Sequence, residues 1–336
     1  MKDLLKKLVE AFGPAGNEGP IRDIIRKEVE GLVDEVKVDA MGNLIAIRKG
    51  QGPRVMIAAH MDEIGVIVTH IDEKGFVRFS NIGGISPFML IGQRVVFANG
   101  TIGTFGMEKL DDMKDLKLSK MFIDIGAKDQ DSAKEKVSIG DIGAFHREAH
   151  FQGDRVIAKS LDNRAGCAVL VKTLKELAGR EIPNQVYAVF TVQEELGLRG
   201  ARTAAYAVNP DIGFAVDVTG TGDTPEAPTM AVNLGDGPTI KVKDSVVLTH
   251  PHVRQFMSET AKKKGIPYQF EILERGGTDT GPIHLTREGV PSGAISVPTR
   301  YIHTPSEMAD MNDMENAAKL FVAILEAKLD EVILQS

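Results

Sequence analysis

Val55-Met-Ile-Ala-Ala-His60 is an unbroken apolar run that closes on a histidine, and three further segments repeat its form. Val186-Tyr-Ala-Val-Phe190 leads to Glu194 and Glu195, Gly213-Phe-Ala-Val216 ends at Asp217, and Ala294-Ile-Ser-Val297 precedes the segment reaching His303. Short runs without polar alternation read as strands covered on both faces, so they predict an α/β fold with a mainly parallel sheet sandwiched by helices. In open α/β sheets the site lies at the carboxyl ends of the strands. The polar side chains that follow these runs emerge where such a site is expected.

A chain of 336 residues holds one large α/β domain plus a smaller one. Its net charge of -7, spread without long like-charge blocks, argues against a nucleic-acid or anionic-membrane surface. The single cysteine, Cys167, lies in Ala165-Gly-Cys-Ala-Val-Leu170 and reads as a small buried hydrophobe; an intramolecular disulfide is impossible. At the amino end, Leu4, Leu5, Leu8 and Val9 recur at helical spacing with charges between them, unlike a secretory core. No later segment is long and apolar enough to span a membrane, so the expectation is a cytoplasmic protein.

Helices are predicted over 2–12 and 18–32, parted by Gly13-Pro-Ala-Gly-Asn-Glu-Gly19, with strands over 34–39 and 43–48. From about 68 to 155 the texture changes to short alternating strands, such as Gly75-Phe-Val-Arg-Phe79 and Arg94-Val-Val-Phe-Ala98, with many glycines and no long helix. This reads as an inserted β-rich domain, 68–155, within a main domain formed by 1–67 and 156–336. Its charged stretch Met107–Leu118 reads as a solvated excursion. Further helices are expected over 163–179, 199–208, 250–265, 279–288 and 307–330.

His60-Met-Asp62 suits a ligand whose carboxylate neighbour supports it, although such a pair is also a common capping or surface arrangement. Asp162, in Lys159-Ser-Leu-Asp-Asn-Arg-Ala-Gly166, fits a helix cap and equally a carboxylate shared by two metals. Glu194 and Glu195 are the most telling pair. Two adjacent acids at a buried strand end repel and lose hydration unless a cation or proton is shared. One can ligate while the other takes a proton from water; spacing does not say which. With Asp217 and His303 added, the nitrogen and oxygen donors suit zinc, cobalt or manganese.

Other motifs read as structural. His250 and His252 flank Pro251 at a helix start. His70, His146 and His150 lack an acidic partner pattern; Gly276-Gly-Thr-Asp-Thr-Gly281 could be a substrate-contacting loop, but reads equally as a glycine turn in which Thr278 or Asp279 caps a helix, and is left out of the catalytic set.

The ordered set Ala58-Ala-His-Met-Asp-Glu-Ile-Gly65, Ser160-Leu-Asp-Asn-Arg-Ala-Gly-Cys167, Val192-Gln-Glu-Glu-Leu-Gly-Leu-Arg-Gly200, Ala215-Val-Asp-Val218 and Tyr301-Ile-His-Thr-Pro-Ser-Glu307 resembles the TET family of dimetal aminopeptidases over essentially the whole chain. The resemblance implies a zinc-peptidase-like fold, an inserted β domain used in oligomerisation, and a tetrahedral dodecamer built from dimers. It implies two divalent ions per subunit, bridged by Asp162, with His60 and Asp217 completing one site and Glu195 and His303 the other. Glu194 would be the general base, with Asp62 supporting the catalytic set without binding metal. The activity it implies is removal of amino-terminal residues from peptides by a metal-bridged hydroxide. Dimetal peptidases more generally imply a cis Asp162-Asn163 bond.

Three rival functions bear on this reading. A deacylase or carboxypeptidase uses the same ligand set on other amides. A glucanase fits poorly with no tryptophan and 5% aromatic residues. A non-catalytic metal-binding scaffold would have no use for an intact Glu194.

Overall fold

The computed structural model describes residues 1–334. Its main sheet is mixed and eleven-stranded. At the centre Gln185–Thr191, Arg54–His60, Ile212–Thr219 and Ser292–Arg300 lie side by side and run parallel. Thr191 is in register with His60, and Asp217 with Ser296, so the carboxyl ends of the strands line up. Antiparallel strands extend both flanks: Leu44–Arg48 and Glu35–Val38 on one, Glu307–Asp310, Arg155–Ala158 and His150–Gln152 on the other. Thr239–Lys243 branches off Ser292–Arg300 and carries Gln269–Ile272.

Alternation along the central strands explains why they read as continuous apolar runs. Val55, Ile57 and Ala59 join one core with the helices Lys2–Glu10, Gly19–Val29, Leu161–Leu177 and Met311–Glu326. Met56 and Ala58 point the other way, into a smaller core with Ala204, Ala205, Val208 and Ile283 from the helices Arg199–Val208 and Thr280–His284. Each face is covered, so no position along the strand can be polar without a partner. Cys167 is buried and free, its thiol directed at the His60 carbonyl oxygen 3.2 Å away.

Between the two parts of this layered unit, six strands close a barrel in the order Gly65–Ile71, Val77–Ile82, Met121–Asp124, Ile102–Met107, Arg94–Phe97 and Ile142–Phe145. Val66, Val77, Phe79, Phe105, Ile123 and Phe145 fill its interior as a separate core. The charged excursion leaves strand Ile102–Met107 and passes through two short 3-10 turns, with Leu116 buried and most of its charges exposed. Among the described residues no helix is long and apolar enough to cross a membrane.

Two helix expectations are corrected. The last helix does not begin at 307: Glu307–Asp310 is a strand, and the helix runs over Met311–Glu326. Pairing with Arg155–Ala158 and with Ser292–Arg300 draws these four residues into the sheet. The cap moves accordingly to Asp310, whose carboxylate accepts the Asn312 N–H. Over 279–288 only Thr280–His284 is helical, and Asp279 makes no side-chain cap there. Gly281 and Pro282, both poor helix formers, fall within so short a turn.

Phe214 on the sheet and Phe321 on the covering helix are fully buried and meet edge to face, with ring centroids 6.4 Å apart. Phe321→Ala is expected to cost about 3–5 kcal/mol through lost burial and the cavity left behind. Urea denaturation measures it, and an unchanged midpoint would show that this contact does not hold the helix to the sheet.

Candidate metal centre

The strand ends and adjoining loops bring the predicted residues together. His60 is the last residue of its strand, Asp217 lies two residues from the end of its own, and the glutamates follow Thr191 by three and four residues. His303 stands in the loop between Ser292–Arg300 and Glu307–Asp310 with φ at +63°. Asp162 sits at the start of helix Leu161–Leu177 in a non-helical conformation, and the Asp162-Asn163 bond is cis. Asn163 ties this turn to strand Ile212–Thr219, donating from its side-chain amide to the Val216 carbonyl oxygen at 2.8 Å.

Two donor triples result, one of His60, Asp162 and Asp217 and the other of Asp162, Glu195 and His303. His60 Nε2 lies 3.1 Å from Asp162 Oδ1 and 3.6 Å from Asp217 Oδ1. His303 Nε2 lies 3.3 Å from Asp162 Oδ2 and 3.2 Å from Glu195 Oε1. Asp162 thus offers a different oxygen to each triple. Bonds of about 2.1 Å at tetrahedral angles would separate neighbouring donors by about 3.4 Å, so these spacings fit first-row divalent ions. Glu194 belongs to neither triple; its Oε2 comes to 3.9 Å from His60 Nε2.

Further buried acids hold the backbone that carries these donors. Asp62 accepts the Glu194 N–H on one oxygen at 3.0 Å and the Glu195 N–H on the other at 3.1 Å. The His60 Nδ1 edge faces Asp62, 3.6 Å from its carboxylate. Glu307 accepts the N–H groups of Asp162 and His303. Glu63 accepts from Gly13 N–H and Lys159 Nζ, with Arg164 Nη2 at 3.5 Å, and so joins the amino-terminal segment to the turn before Asp162. The barrel supplies a wall. A Cβ on Gly84 would come within 2.8 Å of His303 Nδ1, and one on Gly83, where φ is +77°, within 3.0 Å of Glu195 Oε2.

The charges point the same way as the spacing. Asp162, Glu194, Glu195 and Asp217 face two imidazoles, and among the described residues none of the four forms a salt bridge with lysine or arginine. Burial pushes the Glu194 carboxyl well above its ordinary range, with Asp217, Asp279 and Glu195 adding to the effect and His60 opposing it. Burial likewise raises Glu195 and Asp217. Burial alone would lower both histidines. Glu194, Asp162, Asp217 and Asp62 nevertheless hold His60 well above its usual value, and Asp162 and Glu195 raise His303 to about 11. So many acids removed from water need shared protons or a cation among them, and the two donor triples are groups that could hold a metal ion.

Spacing alone did not single out Glu307, Glu63 or Asp279. Asp279 belongs to the glycine turn read above as a helix cap, yet its carboxylate accepts from Thr191 Oγ1 beside the centre and its Oδ1 has no hydrogen-bond partner. Burial raises it to about 7. A buried acid in a glycine-rich turn was the available signal. His250 and His252 pair with each other at the start of helix Pro251–Lys264. They and the histidines 70, 146 and 150 lie outside both triples.

Comparison with known proteins identifies the relatives of this chain. The model of the M42 glutamyl aminopeptidase family matches residues 42–320. A putative aminopeptidase of Acetivibrio thermocellus is 58% identical over 96% of this chain and 97% of its own. The solved aminopeptidase of the archaeon Desulfurococcus kamchatkensis superposes with a TM-score of 0.95 at 39% identity, over 99% of this chain and 96% of that one. The TET1 peptidase of Pyrococcus horikoshii, described as assembling into a tetrahedron or a large octahedral shell, superposes with a TM-score of 0.87 at 33% identity, over 96% and 98% of the two chains. The two donor triples thus lie in a chain that belongs to the M42 peptidase family.

Proposed function

We propose that this chain is a dinuclear metallo-aminopeptidase that removes amino-terminal residues from peptides. One observation carries the reading: two donor triples share Asp162 through its two oxygens while Glu194, beside them, is left out of both. The family match and the names of the relatives above are consistent with it.

His60, Asp217 and one oxygen of Asp162 would hold one ion; Glu195, His303 and the other oxygen of Asp162 would hold the second. Zinc or cobalt suits this donor set best, and manganese is also accommodated. Divalent ions in such a set polarise a peptide carbonyl and acidify water. Glu194 takes a proton from the attacking water and delivers it to the departing amine. Asp62 keeps Glu194 and Glu195 in separate roles by gripping both of their N–H groups. The site acids and a metal would hold the substrate's free α-amino group, which favours the amino end of a peptide over an internal bond. A cavity of about 1280 Å3 offers room for the peptide; it is lined by Met230, Phe270 and Ile272 and by Tyr301 and Ile302, the two residues before His303.

The inserted unit, expected over 68–155 and built as a barrel of strands between Gly65 and Phe145, mediates assembly into a homo-oligomer of dimers, up to a tetrahedral dodecamer. Phe88, Met89, Ile91, Ile102 and Ile139 are exposed on it, an apolar display suited to a subunit interface. The tetrahedral assembly of the Pyrococcus horikoshii relative is in line with this.

Glu194→Gln is expected to retain two metal ions per subunit and lose at least about 100-fold in kcat; near-normal turnover on aminoacyl amides would remove Glu194 from its role. Chelation should abolish hydrolysis, and add-back of zinc, cobalt or manganese should restore it in a panel of aminoacyl and N-acyl amides. Cleavage of the N-acyl amides alone would identify a deacylase instead. Phe88→Asp should lower the mass seen by light scattering, and an unchanged assembly would move the interface elsewhere.

A further inference from the structure

The ligand-bearing segments share an awkward backbone. Ser160, two residues before Asp162, has φ at +58°, and Tyr301 and His303 also have positive φ. Such turns take the chain out of the sheet ladder, so their N–H groups need other acceptors. At two of them the acceptor is the same buried side chain: Glu307 Oε2 accepts the Asp162 N–H at 3.0 Å and Glu307 Oε1 accepts the His303 N–H at 2.9 Å.

Its place in the fold explains this reach. Glu307 opens the strand that pairs with Arg155–Ala158, directly opposite Ala158, and with the end of Ser292–Arg300. The first of these strands leads into the turn bearing Asp162, and the second leads into the loop bearing His303. Glu307 therefore stands where both segments depart from regular pairing. Asp62 makes the same two-handed contact with Glu194 and Glu195.

We infer that Glu307 is a positioning residue: without binding metal itself, it fixes Asp162 relative to His303 and so sets the geometry of the Asp162, Glu195 and His303 site. The inference rests on the dimetal reading proposed above. Asparagine or aspartate at this position would be too short to reach both amides, and glutamine would set an NH2 group against one of the two N–H donors.

The test is cobalt titration of the chelated full-length protein, followed by calorimetry and by visible absorption, for wild type, Glu307→Gln and Glu307→Asp. Wild type should bind two ions per subunit. Both variants should keep the wild-type circular dichroism and assembly size, bind one ion about 10–100-fold more weakly, and lose less at the His60 and Asp217 site, which depends on Glu307 through Asp162 alone. Saturating cobalt should restore most of their turnover. Two undisturbed binding events in both variants, or equal weakening of both events, would overturn the inference. Failure of both variants to fold would assign Glu307 to the fold and overturn it as well. A wild type that binds fewer than two ions would sink the dimetal reading, and this inference with it, before any variant is compared.

Discussion

Mutual repulsion among buried acids is the constraint around which this protein is built. Asp162, Glu194, Glu195 and Asp217 converge in a largely buried space where, among the described residues, only His60 and His303 form ion pairs with them. Left to themselves such groups take up protons. The upward displacement of Glu194, Glu195 and Asp217 and the retention of protons by both histidines are two expressions of that demand. The proposed divalent pair would satisfy it without protons, leaving the carboxylates free as ligands and one of them as a base.

Donor positions this close require a stiff backbone, and the chain obtains it from a second layer of acids. Asp62 and Glu307 each accept two N–H groups from residues of the centre. Glu63 works differently, through a buried cluster with Lys159 and Arg164. Breaking such a cluster at one partner would leave buried charge uncompensated, commonly a loss of about 3–5 kcal/mol. The oxygens of these acids are occupied by donors, as buried acceptors usually are, although at Glu307 burial and the nearby Asp162 still push the carboxyl well above its usual range against its two N–H donors.

Much of this was legible along the chain because its main signal is local. An apolar run ending in His60 or Asp217 reports both a doubly covered strand and the place where it stops, and the sheet aligns those ends by register. What stayed hidden depends on pairing between distant segments. Glu307 follows Thr304-Pro-Ser, which reads locally as a helix start, but four residues of sheet pairing with Arg155–Ala158 override it. Asp279 follows two glycines and looks like a cap, whereas its carboxylate turns toward Thr191. The two adjacent glutamates carry no local label, and only the fold separates Glu195, 3.2 Å from His303, from Glu194 near His60.

The insertion point of the barrel follows the same logic. Its first strand begins at Gly65, two residues after Glu63, and the chain returns to the main sheet at His150–Gln152 and Arg155–Ala158, the latter four residues before Asp162. Entry and exit therefore both lie against the centre, one beyond His60 and Asp62 and the other ahead of the shared aspartate. Glu63, at the entry, is bound to Lys159, at the exit, which closes the neck of the insertion with a buried ion pair. Gly83 and Gly84 then return from the barrel to lie against Glu195 and His303, where any side chain would collide. A unit attached at this neck and touching the Asp162, Glu195 and His303 triple cannot shift independently of it. The barrel's seating and the spacing of the donors are set by one frame, which is why the glycines, the neck ion pair and the ligands occur together in this chain.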